Sequence, residues 1–407
     1  MGLYGHRCSG ASYVLACAVV VYHAGIVRCA GAEYLVADQV GDRIVAFDAD
    51  TGAYTRTLWS TDDRVQPAGM TFGPGGDLFF ANRLSGDVRR IAQADLGGSN
   101  VPATPFITGI AYPGSLAYHA GTNSLLVGEF GVYPGGPLGS EIFVYDASAV
   151  IQATLTLPEV GVAGLAFDAD GDLYASGFFT SPAAAGRIYK FSGPPTWQSQ
   201  GPFAPVPYPW AELQGAAGIA FDADGDMLVA GLITANAGAV VKFHIDDGQL
   251  VGMERLGDFI PFPSGMLMLD EGQLLVTSLG FGPTSGSVYR FNPETGARSV
   301  LLGGDFNQDG IVDGADLDGW RTDFAAGGQA DADFDGDSDG ADFLVWQRGL
   351  GNQTAPGLFS PSAFVVYNAQ DFIPIPEPSA ALLALVAIVA TRLLSRVCVG
   401  CRFRAAV

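Results

Sequence analysis

From Tyr34 to Leu302 the chain is a succession of short runs in which apolar residues alternate with small or polar ones, punctuated by Gly, Asp and Asn. Such runs predict β-strands joined by tight turns. Five stretches share one order of residues. Ala68-Gly-Met-Thr-Phe72 leads to Gly76-Asp-Leu-Phe-Phe80, Gly114-Ser-Leu-Ala-Tyr118 to Ser124-Leu-Leu-Val127, and Ala163-Gly-Leu-Ala-Phe167 to Gly171-Asp-Leu-Tyr-Ala175. Ala217-Gly-Ile-Ala-Phe221 leads to Gly225-Asp-Met-Leu-Val229, and Ser264-Gly-Met-Leu-Met268 to Gly272-Gln-Leu-Leu-Val276. Taking Met70, Leu116, Leu165, Ile219 and Leu267 as equivalent, the steps are 46, 49, 54 and 48 residues. Each unit adds a third strand, such as Gly186-Arg-Ile-Tyr-Lys-Phe191 or Gly286-Ser-Val-Tyr-Arg-Phe291, and usually a fourth, such as Arg298–Leu302.

Four short strands repeated at this period predict the blades of a propeller, each burying its faces only against its neighbours. Ahead of the first full unit, Tyr34–Asp38, Asp42–Phe47 and Tyr54–Leu58 read as strands two to four of another. The expectation is therefore a mainly β chain: a six-bladed β-propeller over 33–303, its first blade incomplete. The ring closes either with a three-stranded first blade or with Ala363–Tyr367 filling the gap. The Gly-His and Trp-Asp signatures of WD repeats are missing. The repeats instead resemble NHL-repeat, gluconolactonase-like and streptogramin-lyase-like propellers.

Composition agrees with many tight turns. Gly makes up 56 of 407 residues, about twice the usual ~7%. With 20 Lys+Arg against 42 Asp+Glu the net charge is −22, which excludes a basic nucleic-acid footprint. The cysteines are Cys8, Cys17, Cys29, Cys398 and Cys401, so the body has no disulfide framework or Cys-ligated zinc.

The acidic residues fall into two kinds of pattern. Asp48-Ala-Asp50, Asp168-Ala-Asp-Gly-Asp172 and Asp222-Ala-Asp-Gly-Asp226 lack a carboxylate at loop position twelve and read as turns. Asp305, Asn307, Asp309, Asp313 and Asp316 occupy positions 1, 3, 5, 9 and 12 of a calcium loop, with Gly310 at the sharp turn and the Ile311 carbonyl at position 7. A second copy, Asp331, Asp333, Asp335, Asp337, Asp339 and Asp342, follows 26 residues later. Each loop leads into one short helix, Asp316–Phe324 and Asp342–Leu350, with matching Trp320 and Trp346. Loop plus one following helix, twice, resembles a type I dockerin over 304–351. The resemblance implies two calcium ions and docking on a cohesin-like partner. Ser338 replaces the expected aliphatic residue between the loops, and Gly319 interrupts the first helix.

Both termini read as addresses. His6 and Arg7, the apolar run Ala11–Val27 and Ala30-Gly-Ala32 form a secretory signal peptide cut by signal peptidase after Ala32. A linker over 352–375 leads to Pro376-Glu377-Pro378, an apolar segment and four arginines. This order resembles the PEP-CTERM sorting signal over 376–407, which implies transient membrane anchoring, recognition by an exosortase, and a location in the envelope or outside the cell.

For chemistry in the propeller, the ends of the second strands give one equivalent set: Asp38, Asn82, Glu129, Gly177, Gly231 and Ser278. The gluconolactonase likeness implies a divalent metal held by such Asp, Asn and Glu side chains in the channel. His119 and His244 read as a turn and an outer-strand residue, and no Gly-x-Ser-x-Gly motif accompanies them. Trp197, Phe203, Tyr208 and Trp210, assigned to an insert of the fifth blade, are the candidate stacking surface for a polysaccharide. The leading expectation is an exported binding and assembly protein, more a module than an enzyme. The alternative is a metal-dependent lactonase or lyase using Asp38, Asn82 and Glu129.

Overall fold

The computed structural model describes residues 31–131, 139–157, 161–178, 188–203, 215–234, 237–280, 286–307, 309–324, 330–332, 337–355 and 359–368. The expected signal peptide up to residue 30, all five cysteines, Tyr208, Trp210, Asp333, Asp335 and Pro376-Glu377-Pro378 lie outside them.

The strands form six four-stranded antiparallel sheets, each a blade. Blades two to six run in chain order from their inner strands, Pro67–Phe72, Pro113–His119, Gly161–Phe167, Gly215–Phe221 and Pro263–Met268. Blade one takes Glu33–Asp38, Arg43–Asp48 and Tyr54–Ser60 from the start of the chain. Its inner strand is Pro361–Tyr367, paired antiparallel with Glu33–Asp38 in the register Val36↔Phe364. The first blade is therefore complete, and the stretch expected as a linker contains the strand that closes the ring. The Ser362 hydroxyl secures the joint, its one proton shared between the Ala37 carbonyl at 3.2 Å and the Pro67 carbonyl at 3.0 Å.

Alternation along the strands explains the core. On Glu33–Asp38, Leu35 and Ala37 pack towards blade two with Leu78, Phe80 and Ile91, while Tyr34 and Val36 pack towards blade six with Leu275 and Val288. Every blade is sandwiched this way, and the described residues form six apolar clusters, one per interface. Both faces of a strand are buried, so its sequence is nearly continuously apolar.

The small-Gly pair that opens each repeat has a specific task. In blades two to six the pairing of the inner strand shifts there, between Pro67 and Met70, Pro113 and Ser115, Val162 and Gly164, Ala216 and Ile219, and Pro263 and Met266. At these bulges the inner strands of adjacent blades nearly touch. A Cβ on Gly218 would sit 2.6 Å from the Ser264 carbonyl oxygen and 2.9 Å from the Met266 nitrogen, so only hydrogen fits. The same pairing corrects the repeat alignment: Met266 opposes Val276 as Ile219 opposes Val229, so Met266 is the equivalent residue in blade six, not Leu267.

Between the last strand of blade six and the closing strand, the chain forms two helices, α1 (Gly314–Asp323) and α2 (Gly340–Gly349). Each begins two residues earlier than the sequence suggested. Asp313 and Asp339 are the N-caps, and each shares a reciprocal capping box with Asp316 or Asp342. Gly319 lies inside an unbroken α1. Val345 and Ala332 join the apolar cluster of blades five and six, so the helical segment is packed on the ring. No helix of the described residues is long and apolar enough to cross a membrane.

Candidate functional site

At the channel the inner strands surround, their starting residues line a cavity of about 550 Å³. One backbone device repeats around this mouth of the channel. In four of the six blades the residue before the inner strand accepts, through its carbonyl, the amide of the first residue past the second strand. These bonds are Gln39 to Ser360, Arg83 to Gln66, Phe130 to Tyr112 and Leu279 to Phe262, all between 2.9 and 3.1 Å. Gln66, Tyr112 and Phe262 all precede proline and have φ of +55°, +52° and +42°. Left-handed backbone at such residues costs about 1–3 kcal/mol each and gathers at functional sites. Here it turns Tyr112 and Phe262 into the cavity lining, beside Arg83, Phe130, Phe178 and Leu279.

The sequence-derived set therefore sits one residue away from the mouth. Asp38, Asn82, Glu129, Gly177, Gly231 and Ser278 do share one rung, opposite Pro361, Pro67, Pro113, Val162, Ala216 and Pro263. Strand alternation sends the Asp38, Asn82, Glu129 and Ser278 side chains elsewhere, and none of the six residues lines the cavity. The buried Asp38 carboxylate accepts Arg43 Nε at 2.8 Å, the Gly41 amide at 3.2 Å and the Ser360 amide at 2.9 Å, so it ties the turn and the closing strand. Glu129 accepts the amides of Ala111 and Ser140. Burial and then repulsion from Glu141 push its carboxyl above the ordinary value against those bonds. Asn82 is fully buried, and neither amide atom has a partner. The residues that do line the mouth were legible only as the next position along each strand.

Arg83 is the more enclosed of the two arginines at this mouth. Its guanidinium lies over the Phe130 ring, 4.4 Å from the centroid, and its Nε is buried without a partner. Burial lowers its pKa to about 10, so it remains charged at neutral pH. Arg64, on the loop joined to Arg83 through the Gln66 carbonyl, lines the same sector. Among the described residues no Asp, Glu or His lines the cavity.

The acidic motifs of the blades are turns. Asp168 Oδ1 accepts the Asp170 and Asp172 amides at 3.1 and 2.8 Å, and Asp222 Oδ1 accepts those of Asp224 and Asp226 at 3.0 and 2.9 Å. Each cluster is met by a lysine from the third strand. Lys190 reaches Asp172 at 2.9 Å, and Lys242 reaches Asp222 at 3.0 Å and Glu294 at 2.9 Å. His119 bonds Thr122 and stacks edge-on with Phe167 and Trp197, while His244 pairs with Asp226 at 2.8 Å. Trp197 and Phe203 belong to blade four, not to an insert of blade five. Trp197 is buried in the core between blades three and four, and Phe203 packs on Tyr174. Neither offers a free stacking face.

In the helical segment, Asp305 Oδ2 accepts the Gly310 amide at 3.0 Å, Asn307 Oδ1 the Asp309 amide at 2.9 Å and Asp309 Oδ1 the Ile311 amide at 3.0 Å. Asp313 caps α1. The buried Asp316 carboxylate accepts the amides of Asn307 at 3.0 Å and Asp313 at 2.8 Å. Burial, reinforced by the Asp305 charge, keeps the Asp316 pKa raised. In the second loop one oxygen each from Asp337, Asp339 and Asp342 lie within 4.8 Å of one another. The two units clasp reciprocally: Trp320 Nε1 donates to the Asp339 carbonyl at 2.8 Å and Trp346 Nε1 to the Asp313 carbonyl at 2.7 Å. Ser338 is fully buried with its hydroxyl unpartnered.

Ring, blades and channel define a six-bladed β-propeller. No family model and no curated protein matches the chain. Among solved structures it is similar to virginiamycin B lyase from Staphylococcus aureus, at 13% identity over 67% of this chain and 85% of that one, with a TM-score of 0.44. It is similar to a gluconolactonase from Xanthomonas campestris at 17% identity, over 59% and 77% of the chains, with a TM-score of 0.43. A protein of unknown function from Bacteroides caccae shares 14% identity over 65% and 91%, with a TM-score of 0.45. The strand pairing, not these likenesses, is what establishes the propeller here.

Proposed function

We propose that the protein works through the mouth of its channel on a small organic ligand with an apolar or aromatic body, and that a lactonase or lyase is the reaction class to test first. The observation that carries this reading is the mouth itself. Four blades place Arg83, Phe130, Phe178 and Leu279 around a cavity of about 550 Å³, within the range of small-molecule sites. Strained residues sit beside them.

The metal-dependent form of that chemistry lacks support from the described residues. Asp38 and Glu129 spend their oxygens on backbone amides and Arg43, and the cavity lining supplies no hard donor set. A non-catalytic binding propeller is the second reading, favoured because no described side chain of the lining is a carboxylate or an imidazole. Incubating the whole protein with lactones and cyclic esters, and following release of free carboxylate, separates the two. Turnover lost in Phe130→Ala supports the enzyme. Saturable binding at the mouth without turnover supports the binding module, and neither turnover nor binding sinks both.

The other elements add an independent proposal. Two calcium ions in loops 305–316 and 331–342 would use an all-oxygen donor set suited to a hard cation, and the docking partner would be a cohesin-like protein. The reciprocal tryptophan bonds support this reading, since they make the two loop-helix units one symmetric clasp. Calorimetry of the whole chain with calcium, before and after chelation, is expected to give two sites; no heat would remove the proposal. Export, processing by signal peptidase at Ala32 and recognition of Pro376-Glu377-Pro378 by an exosortase are proposals that mass spectrometry of the secreted chain can test.

A further inference from the structure

An arginine drawn largely out of water without an anion is energetically out of place: Arg83 is half-buried, with its Nε fully enclosed. Removing a cation from water costs several kcal/mol unless a counter-charge or full hydrogen bonding compensates. Other enclosed cations of the propeller are compensated: Arg43 pairs with Asp38, Lys190 with Asp172 and Lys242 with Asp222, and Arg290 donates to the Tyr34 hydroxyl and the Ala49 carbonyl. Arg83 departs from this pattern. It has the Phe130 ring on one side, a buried Nε with no acceptor, no ion pair among the described residues, and the cavity in front of it.

We propose that Arg83 is the anchor for a carboxylate, and that the ligand of the channel mouth is an organic acid, or a molecule that becomes one there, whose apolar body rests on Phe130, Phe178, Tyr112 and Phe262. A planar guanidinium pairs with a carboxylate through two parallel hydrogen bonds, and its seat on an aromatic face restricts it before the ligand arrives. Arg64 adds a second positive charge at the rim. The cavity lining contributes no acidic side chain among the described residues, so the local field favours an anion. A neutral aromatic would fill the cavity and leave the guanidinium unpaired. The inference rests on the mouth being the ligand site and fixes the chemistry of what enters it.

The test uses 2-naphthoate and its neutral counterpart 2-naphthamide as probes, titrated into the whole protein by calorimetry. Naphthoate is expected to bind at least about tenfold more tightly than naphthamide. Arg83→Gln should abolish that preference while leaving naphthamide binding in place, and Arg83→Lys should restore part of it. Without ligand, Arg83→Met should melt no lower than the parent, because the unpaired charge is removed. Equal binding of the two probes by the parent would overturn the anion assignment while leaving the mouth as a site. Binding of neither would overturn the mouth reading and this one with it. Naphthoate binding unchanged in Arg83→Gln would overturn the role given to Arg83.

Discussion

Lys242 is the cation on which blade five depends. Its side chain is 4% exposed and faces Asp222, Asp226 and Glu294. Burial alone would lower its pKa, but the bonds to Glu294 and Asp222 outweigh burial and raise it. Lys242→Ala would strand the buried Asp222 carboxylate, Glu294 being exposed and Asp226 keeping His244 and Ile245, and is expected to cost about 3 kcal/mol, read from the urea midpoint. The same pairs set an acid limit. For Asp172, burial would raise the carboxyl, but the Lys190 and Gly193 bonds hold it below its ordinary 3.8. For Asp226, the Ile245 and His244 bonds likewise overcome burial. Folded values below the unfolded one mean that this stabilisation is complete above about pH 4–5 and is lost as pH falls through the lower folded values. A urea midpoint that drops below pH 4 in the parent, and drops less in a Lys190→Met variant, is the expected result. At this scale the sequence misleads by a single position. Asp38, Asn82 and Glu129 are the conspicuous polar residues, yet the period of two in a strand turns them away and presents Arg83 and Phe130 instead.

Among the elements, the helices are the most local in origin. The aspartates that suggest cation ligands also start α1 and α2, which is why both begin earlier than expected. Asp339→Ala removes the α2 cap and should cost about 1 kcal/mol, measured by thermal melting in the presence of chelator so that cation loss is not mixed in. Trp346→Phe deletes the bond to the Asp313 carbonyl and should cost a similar ~1 kcal/mol, beyond any change in packing, without altering the propeller's far-ultraviolet signal. The strands were legible from the repeats because both of their faces are apolar. The aromatics between Ser192 and Phe203 were not: Trp197 looks like a surface feature among prolines, and only the arrangement of neighbouring blades makes it core.

For the whole molecule, the choice between two modes of ring closure depended on residues some 320 positions apart, which local pattern does not reach. The Ser360 amide and Asp38 carboxylate that seal it are separated by 322 positions. A chain ending at residue 303 would lose the closing strand and expose the inner edge of blade one, an invitation to edge-to-edge association. We expect that form to aggregate, while a chain ending at residue 368 remains monomeric and unfolds in one transition; size exclusion and calorimetry would distinguish them. The closing strand also sets a timetable. At roughly 5–20 residues per second, synthesis of the stretch between the two halves of blade one takes on the order of tens of seconds. Throughout that interval the first strands to be made have no inner partner, so the nascent protein is at its most vulnerable to proteases and mispairing just before its last strand arrives.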